Sequence, residues 1–190
     1  MLNDYPINTF GALLADVLTT RPEGSPGVRF IHSAYTSNDW NPDSTPINLE
    51  GSSLNKWRTS DFVCTIVHSN MHWYFLGYSF SKNSWLLLDS IPKPQSYYTS
   101  KIEHIRKAVE HFCVCHVPLG GNIIMPPTWP TQVNGIDCGV YACIGVAFVL
   151  ANLGTGGLAR RIIDGEEVKF PPLPLDYINS LGKICTACAP

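Results

Sequence analysis

PTQVNGIDCGVYAC, residues 130–143, sets a polar, turn-prone run against a long apolar one, with Cys138 at the joint. Asn134-Gly135 is a turn signal. From Gly139 to Asn152 the chain is apolar nearly all round, which predicts a central, buried helix opening at Cys138-Gly139. A thiol at a helix N-terminus faces unpaired N–H groups and the positive end of the macrodipole. Both favour the thiolate, the form that reacts. Cysteine is also a small, readily buried hydrophobe, so position alone leaves Cys138 equally open to packing and to chemistry. Gly139 leaves room for another backbone to approach.

The strands lie upstream. DFVCTIVH (61–68), HWYFLGYSF (72–80) and SWLLLDS (84–90) are β-branched, aromatic or apolar, and Ser81-Lys82-Asn83 marks a hairpin between the last two. Ile102, Ile105, Val109 and Phe112 recur at helical spacing, with Ser100-x-x-Glu103 as a capping box. HFCVCHVPL (111–119) reads as a further strand and 120–133 as loop. At the N-terminus Leu2-Asn3-Asp4 supplies capping side chains, Pro6 suits a first turn, and Ile7, Phe10, Leu14 and Val17 form one apolar stripe ended by RPEGSPG (21–27). Residues 28–35 read as a short extended piece, 36–60 as a long surface loop, and 176–184 as a short helix after Gly-rich and Pro-rich segments. Because the strands cluster in the middle of the chain, the expected class is α+β, a mixed sheet packed against helices, with residues 1–190 as one domain.

Composition narrows the function classes. The 190 residues are 45% hydrophobic and 15% charged, which suits a packed core and excludes a disordered chain or a coiled coil. Thirteen Lys+Arg against 15 Asp+Glu give a formal charge of −2, and there is no basic block, so nucleic acid and anionic membranes are not expected partners. The apolar run from Gly139 to Leu153, about 15 residues, is too short to span a bilayer. The opening MLNDYPINTF has no basic region followed by an apolar one, so no secretory signal is expected. Seven cysteines, an odd number, argue for free thiols in an intracellular, reducing compartment. Cys113-x-Cys115 with Cys185-x-x-Cys188 makes poor zinc spacing, and no metal or cofactor is expected. Cys143, five residues into the apolar helix, is expected to pack.

A cysteine nucleophile needs a base and a group to orient that base. Of the six histidines, His104 and His111 fall on the polar side of their helix and read as solvated, while His32 and His116 have no evident partner. His68 ends a strand and His72 opens the next. Asp89 flanks the 81–83 turn at a distance similar to that of His72, so a hairpin makes the two neighbours. A carboxylate after Trp85-Leu86-Leu87-Leu88 is costly unless partnered. Gln132, six residues before Cys138, could donate to an oxyanion together with the Cys138 N–H. Taken singly, His72, Asp89 and Gln132 each read more simply as structural or solvated residues.

Taken in order, the pieces resemble the ubiquitin-like-protein proteases, the cysteine peptidases that deconjugate SUMO and NEDD8 and are related to adenovirus protease. Leu2-Asn3-Asp4 with Ile7-Asn8, His72-Trp73, Asp89-Ser90, and Gln132-x-Asn134-Gly135-x-Asp137-Cys138-Gly139 match the motifs of that family in sequence order. The resemblance runs from residue 2 to about 150 and offers no match for 36–60 or for the tail after Gly154. Met1 stands where many members carry tryptophan, and Thr131 where glutamine is common.

The resemblance implies a papain-like α+β fold with Cys138 as nucleophile, His72 as general base and acid, Asp89 as its orienter and Gln132 as oxyanion donor. It implies substrate contacts at Trp73, Gly139, Asn134 and Asp137, with Trp73 roofing a tunnel that admits only a Gly-Gly tail. The implied partner is a ubiquitin-like modifier (SUMO, NEDD8 or ubiquitin) or another Gly-Gly-containing protein, and the implied state is a monomer. Two alternatives share these residues. One is an adenovirus-like maturation protease that cleaves structural precursors, of viral or microbial origin. The other is an inactive module that only binds a modifier.

Overall fold

Hydrophobic alternation is absent from the middle strands because both faces of their sheet are covered. In the computed structural model, which describes residues 4–19, 27–37, 40–44, 52–135, 137–153, 157–170, 176 and 179–180, the five strands stand in the order β1-β2-β3-β4-β5. They are β1 Val28–Ile31, β2 Phe62–Ser69, β3 His72–Ser79, β4 Ser84–Leu88 and β5 Asn122–Ile124. The two outer pairs are parallel and the two inner pairs antiparallel, so the sheet is mixed as expected. Among the described residues, five α-helices with full bounds accompany them: α1 Asp4–Thr19, α2 Ser52–Arg58, α3 Gln95–Cys113, α4 Cys138–Asn152 and α5 Leu158–Ile163.

Period-2 alternation divides β2–β4 between two cores. Trp73, Phe75, Leu86 and Leu88 face one core with α1, α4 and α5. Tyr74, Leu76, Tyr78, Trp85 and Leu87 face the other with α3. Helix α4 is buried along most of its length, which is why its apolar pattern has no polar face. Its close approach to β3 depends on Gly145: a Cβ there would stand 2.9 Å from Cβ of Phe75. Helix α1 is tied down by buried Asn8, whose Nδ2 donates to Ser33 Oγ at 2.7 Å while its Oδ1 accepts the Ser33 N–H at 2.8 Å. Among the described residues, no helix is long and apolar enough to cross a membrane.

Several local expectations give way to tertiary packing. The stretch 36–60, expected as loop, contains a 3-10 helix, Pro42–Ser44, and α2, whose Trp57 packs on Phe112 with ring centroids 5.4 Å apart. Helix α3 begins at Gln95, so Ser100 and Glu103 lie inside it and form no capping box. Residues 111–119 are not a strand: α3 runs to Cys113 and stops at Val114, which adopts the left-handed conformation (φ 50°, ψ 46°). The loop 120–133 contains β5, which pairs in parallel with β4. Cys113 and Cys115 therefore share no strand face. They lie on either side of the Val114 turn and hydrogen-bond to each other.

His104 and His111 are half-buried rather than solvated, edge-on to Trp40 at 6.2 and 5.6 Å. His32 Nδ1 accepts from the Ala34 N–H, and His116 pairs with Glu110 at 3.0 Å. Residues 1–3, most of 171–190 with Cys185 and Cys188, and the proposed short helix over 176–184, apart from 176 and 179–180, lie outside the described residues.

Candidate active site

Three elements converge where β3 begins. His72 opens β3 immediately after the tight turn Asn70-Met71, both residues of which have positive φ (52° and 61°), closing the β2–β3 hairpin at the pair Ser69↔His72. Asp89 directly follows β4. The β3–β4 register ends at Phe75↔Leu88, so Asp89 falls beside Tyr74, with His72 two residues further along the same face. Cys138 is the first residue of α4.

The structure brings His72, Asp89 and Cys138 together. His72 Nε2 and Asp89 Oδ1 are 2.6 Å apart. A carboxylate oxygen only accepts, so Nε2 carries the hydrogen and Nδ1 is left for the sulfur of Cys138, to which the imidazole is hydrogen-bonded. Asp89 is 4% exposed, and its cost of burial is offset by two further donors. The Ile91 N–H reaches Oδ1 at 2.7 Å, and the Tyr98 hydroxyl reaches Oδ2 at 2.6 Å. Tyr98 in turn accepts from the Lys93 N–H at 2.8 Å.

The electrostatics favour an ion pair. Burial pushes the Cys138 thiol up, but hydrogen bonds from His72 and the Trp73 N–H, the His72 charge and the Gly139 N–H outweigh it, leaving the pKa below the ordinary thiol value of 9.0. Burial also pulls His72 down. The hydrogen bonds and charges of Asp89 and Cys138 outweigh that as well, raising the imidazole from 6.5 to about 9. Cys64, Cys113 and Cys115 move the other way: burial pushes Cys64 and Cys113 to about 12, and Cys115 is raised too. Cys138 is thus the described thiol poised to ionise, and Cys143 is buried in the core of α4.

Gln132 lies in the loop before α4. Its N–H donates to the Ser90 carbonyl at 3.1 Å, its Oε1 accepts from the Ser90 hydroxyl at 2.5 Å, and its Nε2 donates to the Asn134 carbonyl at 2.5 Å. Asn134 and Asp137 bond each other twice, Nδ2 to Oδ2 at 2.7 Å and Asp137 N–H to Asn134 Oδ1 at 3.1 Å, and so shape the turn into α4. Asp137 is the N-cap residue, and its carbonyl accepts from Val140 and Tyr141. Gly139 is buried and contributes its N–H to the Cys138 sulfur. Trp73 is 1% exposed, with its indole stacked on His68 at 4.3 Å and 24°. The expected roof of a tunnel is thus an indole covered by a second ring.

Tyr98 and the hydroxyl of Ser90 are the polar contacts that sequence reasoning passed over. For Tyr98 the signal was present: it shares the helical stripe of Ile102, Ile105 and Val109, and a tyrosine on a core face must find a partner for its hydroxyl.

No protein-family model matches the chain, and no curated protein matches it in sequence. Solved structures do resemble it. The SUMO protease Ulp1 with its catalytic cysteine oxidised to a sulfenic acid gives a TM-score of 0.61 at 18% identity, over 98% of this chain and 76% of that one. The C-terminal Ulp1 protease domain in complex with Smt3, the yeast orthologue of SUMO, gives 0.53 at 18%, over 78% of this chain and 65% of that one. The Xanthomonas campestris effector protein XopD bound to ubiquitin gives 0.53 at 16%, over 96% and 90% of the two chains. The fold is therefore that of the ubiquitin-like-protein proteases: a mixed sheet between helices, with Cys138 at the start of its central helix.

Proposed function

We propose that a chain with this fold is a cysteine peptidase of the ubiquitin-like-protein protease class, cleaving after the C-terminal Gly-Gly of a modifier. The observation that carries the reading is the hydrogen-bonded series Cys138–His72–Asp89, with the thiol lowered and the imidazole raised. Solved neighbours of this fold in complex with Smt3 and with ubiquitin support the modifier as substrate class. The protein works as a monomer in a reducing compartment, where Cys138 stays reduced.

The Cys138 thiolate attacks the scissile carbonyl, forming a C–S bond and placing negative charge on the oxygen. The Cys138 N–H and a hydrogen on Gln132 Nε2 stabilise that oxyanion. Collapse breaks the C–N bond, and His72 Nδ1 gives its proton to the leaving amine. Water then attacks the thioester while His72 takes a proton from it. Expulsion of the thiolate releases the carboxyl product and restores the ion pair. Asp89 holds the imidazole in the required tautomer throughout. A side chain at either glycine of the tail would clash with the walls of the narrow tunnel that this reading requires beside Trp73.

The test is a panel of SUMO, NEDD8 and ubiquitin carrying thiol-reactive C-termini, with Cys138→Ala as control. An adduct with wild type and none with the variant is expected. Undiminished peptidase activity in Cys138→Ala sinks the assignment. Absence of any adduct points instead to precursor proteins as substrate.

A further inference from the structure

We infer that Ser90 is the positioning residue of Gln132, its hydroxyl fixing which end of the Gln132 amide faces the attacked carbonyl. The inference rests on the reading of Gln132 as oxyanion donor. An amide presents an acceptor at one end and a donor at the other, and only the donor end serves an oxyanion. Two partners set the orientation here. The Asn134 carbonyl can only accept, so the group 2.5 Å from it is Nε2. Oε1 then lies 2.5 Å from the Ser90 hydroxyl, which donates to it. Nε2 carries two hydrogens; one goes to Asn134, and the second is left to face the reacting oxygen.

Ser90 is 2% exposed, so its hydroxyl has no competing water to turn to. The dipeptide Asp89-Ser90 thereby serves both halves of the centre. Asp89 orients His72, and Ser90 orients Gln132 across the gap between the end of β4 and the loop before α4. The backbone bond from the Gln132 N–H to the Ser90 carbonyl, 3.1 Å, does not involve the hydroxyl. Ser90→Ala therefore leaves the loop anchored and removes only one of the two bonds that orient the side-chain amide, which separates positioning from folding.

The experiment is a double-mutant cycle on kcat and KM, using coumarin amides of Gly-Gly as the free peptide and at the ends of SUMO, NEDD8 and ubiquitin. Gln132→Ala should lower kcat by roughly 10²-fold, as loss of one oxyanion donor does. Ser90→Ala should lower kcat by about tenfold with KM unchanged, the signature of an interaction made only in the transition state. The double variant should be no slower than Gln132→Ala, because a residue acting through Gln132 has nothing left to position. Alkylation of Cys138 by iodoacetamide should keep its wild-type rate in Ser90→Ala. Full kcat in Ser90→Ala, or losses that multiply in the double variant, overturns the inference while leaving Gln132 in its role. Full kcat in Gln132→Ala overturns the oxyanion assignment itself, and the positioning role falls with it.

Discussion

The hydroxyl of Tyr98 donates to Oδ2 of Asp89 at 2.6 Å, on the carboxylate oxygen that His72 leaves unused. Burial and the Asp89 carboxylate push this phenol well above its usual range, so it stays a donor at any working pH. Tyr98→Phe keeps the ring in its core position and removes only the hydroxyl. Asp89 loses one of its three donors and the Lys93 N–H loses its acceptor. Hydrogen bonds to charged groups are worth about 1.5–3 kcal/mol, so urea unfolding should show a loss of that order. An unchanged midpoint would mean that water replaces the hydroxyl without cost.

The opposed shifts of Cys138 and His72 set a pH window. The thiolate forms as pH rises through the Cys138 value, which lies below 9.0, and the imidazolium is lost as pH rises through about 9. Peptidase activity should therefore rise on the acid side with thiolate formation and fall above about pH 9, where His72 no longer holds the proton owed to the leaving amine. The two limbs belong to the coupled pair rather than to either residue. His72→Ala removes a hydrogen bond and a charge from the sulfur, so the Cys138 value rises. Iodoacetamide labelling at pH 7, followed by mass spectrometry, should then slow by roughly tenfold or more. Labelling of Cys138 at the wild-type rate in that variant would contradict the ion pair.

Close packing of α4 on β3 holds Cys138 in place beside His72. Gly145→Val puts branched carbon where a Cβ already meets Phe75 Cβ at 2.9 Å. Overpacking of this kind costs about 1–3 kcal/mol, read as a lowered Tm. A Tm equal to wild type would show that the helix can slide away from β3 without loss.

Much of this arrangement is legible in the sequence itself. The inner strands, α1 and α4 follow from apolar runs and helical spacing. The pairing of His72 with Asp89 follows from their similar distances from the 81–83 turn. Other segments resisted for physical reasons. Residues 111–119 carry β-branched and aromatic side chains, yet α3 continues to Cys113 because Val109 and Cys113 are buried against the sheet and Val114 accepts a left-handed turn. Strand β5 has three residues at the sheet edge, and only its pairing with β4 makes it a strand. Helix α2 is short and polar, and its visible apolar anchor is Trp57 against Phe112.

The residues proposed to carry the chemistry, and most of the elements that hold them, are written in the chain, because periodicity and turn chemistry act over a few neighbouring positions. What the linear order leaves open is distance. Asp89 and Tyr98 meet because α3 packs on one face of the sheet, and Cys138 meets His72 because α4 packs on the other. The Ser90–Gln132 bond spans 42 positions. Hydrogen bonds and the pKa shifts they produce depend on separations of a few ångströms, and those are set by sheet register and layer packing, which no local pattern encodes.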